Sequence, residues 1–117
     1  MPWTVLIVDD HPGFRASARA LLEADGFEVV GEAADGPSAL EQARLLHPAV
    51  VLLDVQLPGM DGFAVAAQLA AEPAPPAVVL VSSRAQSAFR GRLADSPARG
   101  FITKAEFSGE SFSLVLT

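Results

Sequence analysis

The chain of 117 residues contains no cysteine. That excludes disulfides, thiolate metal sites and cysteine nucleophiles, and it fits a reducing compartment without requiring one. Basic residues are also scarce. Eight Lys and Arg stand against fourteen Asp and Glu, for a net charge of −6 and a pI near 4.7. A surface that grips nucleic-acid phosphates needs clustered cations. Here they are few and scattered, so direct nucleic-acid binding by this domain is not expected. No apolar run approaches the roughly 20 residues of a membrane span. The opening MPWTVLIVD has neither a basic n-region nor a small-residue cleavage site. The expectation is a cytoplasmic protein with no signal peptide and no membrane partner.

What the chain does have is apolar residues, which make up half of it. That is enough for a sizeable core in one domain spanning 1–117. Residues 3–9, WTVLIVD, run apolar and end in acid. Pro12 suits the first turn of a helix, with Phe14, Ala18, Leu21 and Leu22 inward and Gly26 as its stop. Residues 27–33 read as a strand. Asp35-Gly36-Pro37 opens a second helix with Leu40, Ala43 and Leu46 inward, ended by His47-Pro48. Residues 49–54, AVVLLD, are a continuous apolar strand, and the loop LPGMDG follows it. In that loop Asp61 is positioned to cap a third helix, whose inward residues are Phe63, Ala66, Leu69 and Ala70. A fourth strand covers 77–83, a weaker helix about 86–95, a short fifth strand 100–103, and the serine-rich tail a last helix. Strands 1, 3 and 4 lack a period of two, as expected when both faces are covered. The expectation is an α/β fold with a parallel sheet and helices on both sides.

In such a sheet, ligands bind beyond the carboxyl ends of the strands. Strand 1 ends in Asp9-Asp10, strand 3 in Asp54 and strand 4 in Ser82-Ser83, and strand 5 is followed by the lone lysine, Lys104. If these strands are neighbours, three carboxylates and one ammonium share a crevice. Carboxylates so close repel, and burial worsens this. A divalent cation would bring the charge to zero. With oxygen donors only, Mg2+ or Mn2+ fits and zinc or copper does not. His11 invites a ligand reading, but at the start of a helix it is expected to face water. A carboxylate beside a dication and an ammonium is a competent nucleophile toward phosphorus. Asp10 also reads as a cap of the first helix, a role compatible with metal binding.

These residues, with LPGMDG after Asp54 and Phe101 before the lysine, resemble the receiver domain of bacterial two-component response regulators. The gaps agree with the family: 44 residues from Asp10 to Asp54, 28 on to Ser82 and 22 on to Lys104. VDDHPGFR is most similar to the subfamily that usually carries a C-terminal helix-turn-helix domain, and no such effector domain is expected within this chain. The resemblance implies a flavodoxin-like three-layer sandwich, a five-stranded parallel sheet in order 2-1-3-4-5. It implies Asp54 as phosphoacceptor, with Mg2+ (or Mn2+) held by Asp10 directly, by Asp9 mainly through water, by Asp54, and by the backbone carbonyl of Gln56. Ser82 and Lys104 would bind the phosphoryl group, Phe101 would be the switch residue, and Gln56 and Ser83 would set the phosphoryl lifetime. The implied donor is a histidine kinase, a phosphotransfer protein or a small acyl phosphate. The implied output is a homodimer or effector contact through the face of helix 4, strand 5 and helix 5, or through helices 1 and 5. The chain would then be a switch, an enzyme only toward its own phosphorylation and dephosphorylation.

Three residues depart from the family pattern. Ala105 follows Lys104 where many receivers have a cis proline, which leaves a trans bond or a costly cis one. Ser82 stands for the commoner threonine, and Phe101 lacks the hydroxyl of a tyrosine. Two other functions remain open. One is a Mg2+-dependent phosphohydrolase, for which Gln56 is a poor general acid. The other is a phosphorylation-independent interaction module.

Overall fold

The computed structural model describes residues 3–117. The elements alternate: β1 (Thr4–Val8), α1 (Pro12–Ala24), β2 (Glu28–Ala33), α2 (Gly36–Leu46), β3 (Val50–Asp54), α3 (Gly62–Ala70), β4 (Ala77–Ser82), α4 (Arg90–Asp95), β5 (Gly100–Thr103) and α5 (Gly109–Leu116). The five strands form one parallel sheet in the order β2-β1-β3-β4-β5.

Alternate residues of the central strands feed two separate cores. Leu6, Val8, Val51, Leu53, Val78 and Leu80 face α2 and α3, where they meet Ala39, Leu40, Phe63, Val65 and Leu69. Val5, Ile7, Val50, Leu52, Val79 and Val81 face α1 and α5, where they meet Ala18, Leu22, Phe112 and Leu116. Because each face has its own helix layer, neither set can be polar, and the strands lose any alternation. Each large side chain so buried contributes about 1.5–3 kcal/mol relative to exposure.

Helix ends follow their local chemistry. Asp35 caps α2 by accepting from the Ser38 N–H (2.8 Å), and Asp61 caps α3 by accepting from Ala64 N–H (2.9 Å). His47 closes α2 in the left-handed region at φ 47°, where the following proline disfavours continued helix. The tail helix forms as expected. Ser108 and Ser111 exchange hydrogen bonds in a capping box, and Phe112 and Leu116, one turn apart, anchor it in the core. Asp10 caps nothing; His11 holds the N-cap position of α1 without a side-chain bond.

The helical stripes were read too wide. Leu21, Leu46 and Ala70 are exposed, each at the edge of an inward face, while Val65 is buried. The fourth helix is shorter than expected. Residues Gln86–Phe89 form a 3-10 turn and only Arg90–Asp95 are α-helical, with no side-chain cap at the start and Gly91 inside. Among the described residues no peptide bond is cis, so Lys104–Ala105 is trans, and Lys104–Glu106 winds into one 3-10 turn.

Candidate functional site

The site sits at the carboxyl edge of the sheet, where β1 and β3 end side by side. Asp9 follows Val8 directly and is wholly buried; its neighbour Asp10 turns outward. The Arg15 guanidinium donates to the Asp9 carbonyl and to Glu32 on β2 (3.0 Å), fixing the end of β1 to α1. Arg19 joins the same carboxylate at 2.9 Å. Burial alone would raise the Glu32 pKa, but the two guanidiniums outweigh it and hold the carboxyl below its usual range.

Asp54 ends β3 at 2% exposure. One oxygen accepts from Gln56 N–H at 3.1 Å; the other lies 3.4 Å from the Lys104 ammonium. That ammonium is also 2.8 Å from Asp9 Oδ2 and 4.7 Å from the centre of the Phe14 ring. So one lysine, backed by an aromatic face, is shared between two buried acids. Burial pushes the Asp54 carboxyl up to about 6, the Gln56 N–H and Lys104 act against this, and the Asp9 charge adds to it.

The loop after Asp54 is shaped by two glycines. Gly59 takes φ 76°, which other residues adopt at a cost. Gly62 starts α3 so close to β3 that a Cβ there would lie 2.3 Å from the Asp54 carbonyl oxygen and 2.7 Å from Val55 Cα. Both obstacles are backbone. Gly62→Ala is therefore expected to destabilise the fold by about 1–3 kcal/mol and to displace the Asp54 main chain. Urea denaturation, with the amide chemical shifts of residues 54–56, checks it.

The Ser82 hydroxyl, fully buried at the end of β4, accepts from Arg84 N–H at 3.1 Å, and Ser83 is exposed. Gln56 is exposed as well. Phe101 is half-buried on β5 and tilts against Phe89 at 6.0 Å, on the α3–α4 side of the sheet and apart from the acids. The structure thus brings Asp9, Asp10, Asp54 and Lys104 together and seats Ser82 at the adjacent strand end.

Two neighbours escaped sequence reasoning. Phe14 was read as a core residue only. His11 is exposed, as expected, and its Nδ1 also lies 3.1 Å from oxygens of both Asp9 and Asp10. The signal for both was their place just after the acid pair, in the first turn of the helix that β1 feeds.

Asp9, Asp10, His11 and Asp54 each offer a ligand atom, all within 4.8 Å of one another. Asp9 Oδ2 is buried without a hydrogen bond, because Lys104, although near, is not aligned to give one. Three clustered carboxylates facing one ammonium fit a hard divalent cation. A doubly wound α/β domain with an acid pocket at its carboxyl edge is thereby defined.

The profile of the response regulator receiver domain matches residues 5–112. The response regulator GacA of Pseudomonas viridiflava is 40% identical over 101 residues, covering 86% of this chain and 47% of that protein. The DNA-binding transcriptional activator EvgA of Escherichia coli is 33% identical over 101 residues, covering 86% and 50%. Among solved structures, the signal receiver domain of NarL from Mycobacterium tuberculosis superposes with a TM-score of 0.84 at 36% identity, covering 98% of this chain and 97% of that one. The chain belongs to the receiver domain family of bacterial two-component response regulators. It spans about half the length of the curated relatives it matches.

Proposed function

We propose that this domain, residues 1–117, is a phospho-accepting switch with Asp54 as its acceptor. The observation that carries the reading is the Lys104 ammonium at 2.8 and 3.4 Å from two buried carboxylates, which together with Asp10 leave the pocket short of positive charge. An Asp54 oxygen attacks phosphorus, and the bond to the donor breaks. The donor is the phosphohistidine of a histidine kinase or phosphotransfer protein, or a small acyl phosphate. Lys104 neutralises charge on the transferred oxygens, and Phe14 keeps water from one side of it. Asp9, Asp10, Asp54 and the Gln56 carbonyl would hold Mg2+ or Mn2+. When bound, that cation supplies positive charge where the phosphoryl oxygens arrive.

Ser82 then turns toward the phosphoryl oxygens, and Phe101 follows into the space vacated. The surface that changes is formed by α4, β5 and α5, used for dimerisation or for contact with an effector domain; α1 with α5 is the other candidate face. Gln56 and Ser83, exposed beside the acceptor, would set how readily water reaches the phosphoryl group. Gln56 has no proton of acidic strength to give a leaving group, which argues against turnover of phosphate esters. The domain is in this reading no enzyme toward other molecules, and its setting is a cytoplasmic phosphorelay.

Acetyl phosphate with Mg2+ is expected to add the mass of one phosphoryl group to the intact chain, and to add nothing when Mg2+ is chelated. Ser82→Ala should still take up the group but leave the Phe101 ring resonances unmoved. A chain that stays unmodified by both acetyl phosphate and phosphoramidate overturns the reading.

A further inference from the structure

The sequence offers this pocket oxygen donors, and in the structure an imidazole lies beside them. His11 is placed by its backbone: its N–H donates to Asp9 Oδ1 at 2.8 Å, and Pro12 begins α1 immediately after it. The ring is thereby turned back over the acids. Its Nδ1 is 3.1 Å from Asp9 Oδ1 and 3.1 Å from Asp10 Oδ1. Adjacent donors around one octahedral ion, each about 2.1 Å from it, lie about 3.0 Å apart. Nδ1 is thus spaced from each of the two oxygens as neighbouring ligands of a single cation would be. Asp9 Oδ2, buried and without a hydrogen bond, shares the single charge of Lys104, 2.8 Å away, with Asp54, so three carboxylates in this pocket face one ammonium. The His11 side chain is 67% exposed, so the ring can turn without disturbing the core.

We propose that His11 is a nitrogen ligand of this pocket, and that the site takes first-row transition cations such as Co2+, Ni2+ and Mn2+ with an affinity to which the imidazole contributes. The inference rests on the reading of the pocket as a divalent-cation site. Imidazole suits these metals, whereas Mg2+ prefers oxygen donors. Nδ1 faces two carboxylate oxygens, to which it could bond only as a donor. Coordination requires the other tautomer, with the proton on Nε2, which solvent can reach.

The test titrates the intact domain by calorimetry with MgCl2, CoCl2 and NiCl2, comparing wild type, His11→Ala, His11→Gln and His47→Ala. His11→Ala and His11→Gln are each expected to weaken Co2+ and Ni2+ by about tenfold or more and to leave Mg2+ within about threefold. His47→Ala, which removes the chain's other histidine, should change neither. The Co2+ form of the wild type should show hyperfine-shifted imidazole ring protons that vanish in His11→Ala. Unchanged Co2+ and Ni2+ affinity in both His11 variants overturns the ligand role while Mg2+ binding leaves the phosphoacceptor reading standing. Tighter Mg2+ in His11→Ala also overturns it, making the ring a lid that competes with the cation. No binding of any of the three cations removes the site itself.

Discussion

Asp54→Asn is expected to abolish phosphoryl uptake from acetyl phosphate and at the same time to stabilise the metal-free protein. The first effect removes the nucleophile: the amide has no anionic oxygen to attack phosphorus. The second follows from where the carboxylate sits. Asp54 ends a strand buried on both faces, and burial, aided by the Asp9 charge, holds its pKa at about 6 against an ordinary 3.8. An acid whose folded pKa is raised opposes folding when ionised. Its penalty is in full force above pH 6 and is relieved as pH falls through 6 toward 3.8. At pH 7.5 the neutral amide should therefore gain about 1–3 kcal/mol over wild type, a gain that roughly halves by pH 5. The check is urea unfolding of both proteins in EDTA at the two pH values. The carboxylates with lowered pKa, Glu32, Asp35 and Asp61, lose their contribution only at more acid pH and leave this window clear. Equal stabilities of mutant and wild type at pH 7.5 would mean that the acid is well solvated or fully paired. The expected trade, stability given up for a reactive group, is common at functional sites.

Lys104→Ala carries the second large effect. The lysine is the chain's only one, and its ammonium is the cation shared by Asp9 and Asp54. Losing one preorganised charge at a reacting centre typically costs 10^2–10^3 in rate. A loss of about that size is expected in the initial rate of phosphorylation by acetyl phosphate at saturating Mg2+. The mutant should also be destabilised at pH 7.5, since two buried carboxylates then face each other without a counter-charge. It should recover part of that loss at pH 5, as Asp54 protonates. Lys104→Arg is not expected to rescue the rate, because the broader guanidinium does not fit between the acids and the Phe14 ring as a point charge does.

Much of this site could be read in the sequence because of where its residues fall. In a sheet covered on both faces, the strand ends are the one place for charge, so VVLLD and VLIVDD announce both the strands and the site. The single lysine and the run Ser82-Ser83 follow by the same rule. What escaped depends on side-chain direction. His11 faces water as expected, but the Asp9 carboxylate also takes its backbone N–H and so folds the ring back onto the acids. Phe14 was assigned to the core, and it does pack there, against Phe107, while its face also meets Lys104. Leu21 and Leu46 were read as inward by spacing alone, but each lies at the margin of a stripe only wide enough for Leu22 or Ala43. The α4 region resisted for a different reason. RAQSAFRGRLADS has a glycine inside and no cap residue used at its start, so a 3-10 turn takes the first four residues of the expected helix. Around Lys104, alanine in place of proline leaves the peptide bond trans, and the lysine reaches the acids nonetheless.

The phosphoryl group is expected on residue 54. Borohydride reduction of the domain after treatment with acetyl phosphate and Mg2+ converts an aspartyl phosphate to homoserine, and peptide mass spectrometry then locates it. Homoserine is expected at position 54 alone, absent when Mg2+ is withheld and absent in Asp54→Asn. Homoserine at Asp9 or Asp10, or a phosphoryl group found on a serine or histidine instead, would contradict it.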